Sequence, residues 1–398
     1  MDSYIKTTTL NELCDLITKQ TGFDYSKTIK PSLVNKKIDG YLPFIQNKDF
    51  EGERINLNTD YYVPSEIAKK YPKILLDSTI LLISISGKIG NVGFYNIPQT
   101  SFVGGAICVC RLNKDVNGKY IMYFLQSSKG QFLLLHSVKA ASHSNITVED
   151  IRKLPIPIPS LSEQSRIVGI LDSFTDSIEN LKQQIAQRRK QYEHYRDQLL
   201  DDVSHTEKIG KLTKVFSCPR VYKSQWQDSG IPFWRSSDVM SYHNGVKNPR
   251  GEVYISQSLY EELLQKSEKI ERGDILVTGG GSIGIPYLKK DNNPLFVKDA
   301  DLICIKKCEG VIPSFLYHFF FSTSFRLYLK KITHDATIAH YTINQILETP
   351  IPIPPLSEQQ RIVSILDTFE ASISNLEAQL AQRQKQYEYY RNQLLTFE

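Results

Sequence analysis

Two stretches of this chain repeat apolar or aromatic residues at alternating steps of four and three. The first is Ile167, Leu171, Phe174, Ile178, Leu181, Ile185, Arg188, Tyr192, Tyr195, Leu199. The second is Ile362, Leu366, Phe369, Ile373, Leu376, Leu380, Arg383, Tyr387, Tyr390, Leu394. A 3.5-residue period held for more than four heptads predicts a coiled-coil seam, not merely an amphipathic surface helix. At about 1.5 Å per residue each seam spans roughly 50 Å. Alternating Pro and Ile open both stretches, from Pro155 and Pro350, and proline's missing donor keeps those residues out of the helix. Ser162 and the capping box Ser357-x-x-Gln360 predict where the helices start. Elsewhere strand-like runs (Thr79 to Ser84, Ile107 to Leu112, Asp274 to Thr278, Leu302 to Ile305) mix with helical stretches at Tyr120 to His136 and Phe315 to Lys331. These predict an α+β fold with irregular, barrel-like sheets.

The two seams belong to a tandem duplication. Residues 155–200 and 350–395 are identical at 33 of 46 positions with a constant offset of 195. Upstream the likeness is weaker: Leu82 to Gly90 aligns with Leu276 to Gly284, and Asn145 to Val148 with His340 to Ile343. The chain therefore reads as block (1–154), helix (155–203), block (204–349), helix (350–398). Helices kept alike do one shared job, while diverged blocks do two different ones. Residues 204–349 leave the end of one helix and enter the start of the other. Because the termini of a compact domain lie close together, the two helices are expected to run antiparallel, as a rod with one block at each end and a pseudo-twofold axis across it.

Composition narrows the class. The chain has 398 residues, 41% apolar and 23% charged, which suits several buried cores and excludes a disordered or fibrous protein. No apolar run is long enough for a bilayer span and no signal peptide opens the chain, so a cytoplasmic protein without a membrane partner is expected. Six cysteines without a C-x-x-C read as reduced thiols, and no metal ligand set is read from the spacing. The net charge of +5 is distributed unevenly: residues 1–160 carry +5, 161–203 carry −2, 204–355 carry +4 and 356–398 carry −2. The basic, aromatic-rich blocks suit a polyanion, and the acidic helices suit another sort of partner.

Polar loops follow the predicted strands, and their residue types hydrogen-bond bases and phosphates. The candidate DNA contacts are Gln46, Asn47 and Lys48, Lys88, Ser142, His143, Ser144 and Asn145, Arg235, Ser236 and Ser237, Ser282, and His340, Tyr341 and Thr342. Enzymatic motifs fail on inspection. Gly279-x-Gly281-x-x-Gly284 follows a strand, but Pro286 removes the helix that would hold a pyrophosphate. Asn293-Pro294-Leu295-Phe296 lacks the second proline of a methyltransferase motif, and H-E-x-x-H does not occur. No catalytic residue is assigned.

The twice-repeated P-I-P-I-P-x-L-S-E-Q-x-R-I-V-x-I-L-D-x-F, closing each basic block, resembles the specificity subunit of type I restriction–modification enzymes. That resemblance implies a non-catalytic DNA-binding chain. Residues 1–154 and 204–349 would be target-recognition domains, each reading half of a split, asymmetric double-stranded DNA target. The paired helices would act as a ruler and would dock two modification (methyltransferase) subunits, with restriction subunits further out. No cofactor is expected on this chain; S-adenosylmethionine, ATP and Mg are implied in the partner subunits, which methylate adenine and cleave DNA. Alternatives are a fragment of a fused restriction–modification enzyme, or a coiled-coil scaffold without a DNA role.

Overall fold

The computed structural model describes residues 5–140, 145–201, 203, 205–333 and 340–397. It divides into two compact units, one of Met1–Leu181 with Gln379–Glu398 and one of Lys182–Ala378. The division falls inside both long helices, Leu161–Asp201 and Leu356–Leu394. Each unit thus owns the start of one helix and the end of the other.

In the first unit an antiparallel sheet has the order Cys14–Lys19, Ile107–Leu112, Ile80–Ser84, Val92–Tyr95. The two central strands are buried on both faces, and the period of two sorts their side chains between two cores. Leu81, Ile83, Cys108 and Cys110 join the helical core with Tyr120, Phe124, Ile167 and Leu171. Ile80, Leu82, Ile107 and Val109 face the other way, onto Phe44, Ile45, Phe102 and Val103. These last residues belong to a second sheet, in which Tyr41–Ile45 pairs parallel with Ser101–Val103.

The second unit repeats the plan. Its sheet runs Val215–Ser217, Leu302–Ile305, Ile275–Thr278, Pro286–Leu288. Ile275, Val277, Ile303 and Ile305 face the helical core, while Leu276, Leu302 and Cys304 face Phe233, Phe296 and Val297. Ile231–Trp234 and Phe296–Val297 form the corresponding parallel pair. The glycine-rich run after Thr278 is a hairpin turn into Pro286–Leu288, with Gly281 and Gly284 at φ 74° and 72°. In both units a hydroxyl closes this turn. Ser84 Oγ donates to the Lys88 carbonyl and accepts from the Asn91 amide, and Thr278 Oγ1 does the same with Ser282 and Ile285.

Two expected helical stretches are each split. Gly118–Gln126 and Ser128–Ala140 break at Ser127, and Pro313–Phe319 and Thr323–Thr333 break before Ser322. The serine hydroxyls accept the backbone N–H of Gly130 and Phe325, capping the following helix and stopping the preceding one. The start of the first long helix is also earlier than expected. Ser160, not Ser162, accepts the Glu163 amide, and the helix opens at Leu161.

Within each unit the helix segments run antiparallel. In the second unit Tyr195 stacks on Phe369 at 5.5 Å and Arg189 reaches Glu377 at 2.6 Å, so a lower number meets a higher one. In the first, Phe174 stacks on Tyr390 at 5.3 Å, while Ile167 and Leu171 share a core with Leu395. Seam positions differ in depth. Ile167, Leu171, Ile362 and Leu366 are fully buried and Ile185 nearly so. Phe174, Ile178, Leu181, Tyr192, Phe369, Ile373, Leu376, Leu380 and Tyr387 are half-buried. Near the ends the period yields: Tyr195 and Tyr390 are each 44% exposed, whereas Leu200 and Leu395 go inside.

A repeated hydrogen-bond node ties the helices to each globular body. In the first unit the Tyr123 hydroxyl lies 2.9 Å from Glu53 Oε2 and 2.7 Å from Asp172 Oδ1, and Tyr387 donates to Glu53 Oε1 at 2.9 Å. One phenol proton cannot serve two carboxylates, and burial accordingly pushes the Glu53 carboxyl up, towards its protonated form. At the offset of 195 the second unit has His318, Asp367 and Tyr192: His318 Nε2 is 2.9 Å from Asp367 Oδ1 and Nδ1 is 2.9 Å from the Tyr192 hydroxyl. Two buried glutamines make a second joint. Gln164 accepts the Asn117 amide and donates to the Pro159 carbonyl; Gln359 accepts the Ile312 amide and donates to Pro354 and Gly310.

Candidate nucleic-acid interface

The sequence-nominated loops of each unit collect at one end of its central sheet. In the first unit the Ile85 amide donates to the Ala106 carbonyl, and the Ile146 amide donates to the Ile85 carbonyl. Asn47 Nδ2 donates to the Ser86 carbonyl, and Asn91 Nδ2 donates to the Asn47 carbonyl. These bonds hold Gln46–Lys48, Lys88 and Asn145 around one surface. Lys88 and Asn145 are exposed. Lys48 is exposed too, paired with Asp60 and 5.9 Å over the Tyr61 ring. The Gln46 amide donates to Asp49 Oδ2 at 2.7 Å, a capping contact that leaves its side chain beside a cavity of about 410 Å³. Ser142, His143 and Ser144 lie outside the described residues.

The second unit repeats the arrangement with other residues. Tyr341 donates its amide to Gly279, Gly279 to Asp301, and the Ser236 hydroxyl to the same Asp301 carbonyl. Arg235–Ser237, Ser282 and His340–Thr342 are thereby brought together. Ser282, His340 and Thr342 are exposed, and His340 and Thr342 edge a cavity of about 290 Å³. Thr342 also caps the helix Ile343–Leu347 through Gln345.

Two nominated residues point inward. Arg235 is 8% exposed: its guanidinium bonds Asp238 at 2.8 and 3.1 Å and the Gly251 carbonyl, and lies 5.8 Å over Trp226. Tyr341 is wholly buried, its hydroxyl bonded to Thr349, and burial pushes its phenol well up. Both shape the interface from beneath.

Sequence reading missed other groups on this face. Gln20, 3% exposed, lines the first unit's cavity, and neither end of its amide finds a hydrogen-bond partner; nor does Asn47 Oδ1. Its counterpart through the strand register is Cys218, so the two units differ at this place. Lys247 and Arg250 stand exposed on a loop that Asn248 holds to Ser237 and Asp238. The run Lys247-Asn248-Pro249-Arg250 was the available signal.

Two frames of one plan, each carrying its own set of polar loop residues, define a tandem recognition protein. Comparison with known families agrees: the type I restriction modification DNA specificity domain matches residues 3–188 and again 204–384. The chain belongs to this family and is a specificity subunit of a type I restriction–modification system. It is 29% identical over 361 residues to a putative type I restriction enzyme specificity subunit of Haemophilus influenzae, covering 86% of this chain and 89% of that one. It is 28% identical to the EcoR124I/EcoR124II specificity subunit of Escherichia coli, over 70% of each. Among solved structures, the S subunit of a type I system from M. genitalium matches with a TM-score of 0.57 at 16% identity, over 100% and 98% of the two chains. A chain from a study of complex assembly in the type I system matches at 0.60 and 17%, over 98% and 96%. At such identities the likeness lies in the fold. Among the described residues no helix is long and apolar enough to cross a membrane.

Proposed function

We propose that each unit reads one half of a bipartite, asymmetric double-stranded DNA target, and that this chain positions two modification subunits on it in the cytoplasm. The modification subunits bind S-adenosylmethionine and methylate adenine; restriction subunits supply ATP- and Mg-dependent translocation and cleavage. The observation that carries this reading is the loop cluster at the sheet end. Backbone bonds place it identically in both units (Ile146 to Ile85 to Ala106, and Tyr341 to Gly279 to Asp301), while the displayed side chains differ. One frame with two different surfaces suits two different half-sites.

Mapping methylated adenines in cells that express the chain with its modification subunit tests the proposal. A motif of two unlike half-sites around a non-specific gap supports it; a palindromic or contiguous motif overturns it. Light scattering of the purified complex should give a mass of one chain with two modification subunits.

A further inference from the structure

The node at which His318 meets the long helices departs from its counterpart in a way that hydrogen bonding alone does not require. In the first unit the three corresponding positions are Tyr123, Asp172 and Thr175. In the second they are His318, Asp367 and Glu370, and a ligand atom from each of these three lies within 4.8 Å of the others. Asp367 and Glu370 stand three residues apart on one helix, so both carboxylates face the same way. His318, on the helix Pro313–Phe319, is completely buried and meets them from the globular body.

We propose that His318, Asp367 and Glu370 form a binding site for a divalent transition-metal cation, with zinc as the natural candidate. The ligand chemistry is one imidazole nitrogen and two carboxylates with a fourth position open, a set that zinc accepts. His318 Nε2 already faces Asp367 Oδ1 at 2.9 Å. Its other nitrogen, Nδ1, is held 2.9 Å from the Tyr192 hydroxyl, the supporting contact that fixes the tautomer and ring angle of a metal-bound histidine. Glu370 Oε1 is 3.9 Å from Nδ1, the nitrogen that faces Tyr192, and its side chain is one-third exposed, so this carboxylate must turn towards Nε2 to complete the set. Tetrahedral ligands at about 2.0 Å from zinc sit about 3.3 Å apart, so the closure asked of the set is small. An entry path exists: Asp367 and Glu370 line a cavity of about 640 Å³. Two helices would thereby be clamped by the ion in the second unit, with a third tied to His318 through Tyr192, where the first unit uses phenol–carboxylate bonds.

The duplication supplies the controls. His318→Tyr and Glu370→Thr each install the residue that the first unit carries at that position, so the node keeps a side chain already accommodated in this frame. The full-length chain is titrated with zinc chloride, and binding is read by calorimetry and by the thermal unfolding midpoint. One zinc per chain, a raised midpoint and loss of both in either variant are expected. Substitution with cobalt should give ligand-field bands without the thiolate charge-transfer absorption that a cysteine site produces. No zinc binding by the parent chain, equal binding by both variants, or a thiolate spectrum would each overturn the proposal.

Discussion

Leu366 and Leu376 occupy the same apolar seam of the second long helix, yet the structure assigns them different energetic weights. Leu366 is fully buried in the core formed with Phe315, Ile346 and Ile362. Leu376 is half-buried and lies outside that core. Truncating Leu366 to alanine removes three carbons' worth of transfer energy, about 2.4 kcal/mol, and adds a cavity penalty, for about 3–4 kcal/mol. The same change at Leu376 loses roughly half the transfer energy and opens no closed cavity, for about 1 kcal/mol. The assay is built in, because the chain's two tryptophans, Trp226 and Trp234, both lie in the second unit. With a urea slope of about 2 kcal/mol per molar, their fluorescence midpoint should fall by about 1.5–2 M for Leu366→Ala and by about 0.5 M for Leu376→Ala. Equal shifts would refute the argument and mean that the seam, not the globular core, sets the stability of this helix.

Three further outcomes follow from particular contacts. Burial raises the Glu53 carboxyl, so the folded chain keeps a proton that the unfolded chain releases, and stability falls as pH rises from the ordinary carboxylate range through the raised value. Glu53→Gln should therefore gain on the parent chain as pH rises above the ordinary carboxylate range in calorimetry; a constant difference would contradict this. Arg235→Ala strands the nearly buried Asp238 and should cost the second unit about 3–5 kcal/mol by tryptophan-monitored melting, instead of removing DNA affinity from a normally stable protein. Inserting four residues after Arg189 and after Gln384 lengthens each helix by about 6 Å, and the methylation map should show a gap longer by about two base pairs with unchanged half-sites.

The seam was legible because it repeats twice in sequence with one period, and burial of Leu171 and Leu366 follows from it. The period failed near Tyr195 and Tyr390, which stack on the neighbouring helix yet stay exposed, while the globular cores take Leu200 and Leu395. Strands were legible as short β-branched runs, and being buried on both faces is why they showed no alternation. The helix breaks at Ser127 and Ser322 were not legible, since a serine caps or decorates a helix depending on where its hydroxyl points. The candidate interface was read only by residue type. That nominated loops which the fold gathers at one end of each sheet, but could not see that Arg235 and Tyr341 turn inward, and it passed over Gln20, an ordinary residue at a strand end. His318, Asp367 and Glu370 were invisible for a different reason: about fifty residues separate the histidine from the carboxylates, and only the fold closes that distance.

Gln164 and Gln359 fasten each long helix to its own recognition body through backbone groups, of Asn117 in one case and of Ile312 and Gly310 in the other. A joint that grips main chain is indifferent to the side chains presented to it. Any incoming block that offers one free N–H at the start of its helix can plug into the same socket. The same feature that standardises the coupling would let one recognition block be exchanged for another without remaking the joint.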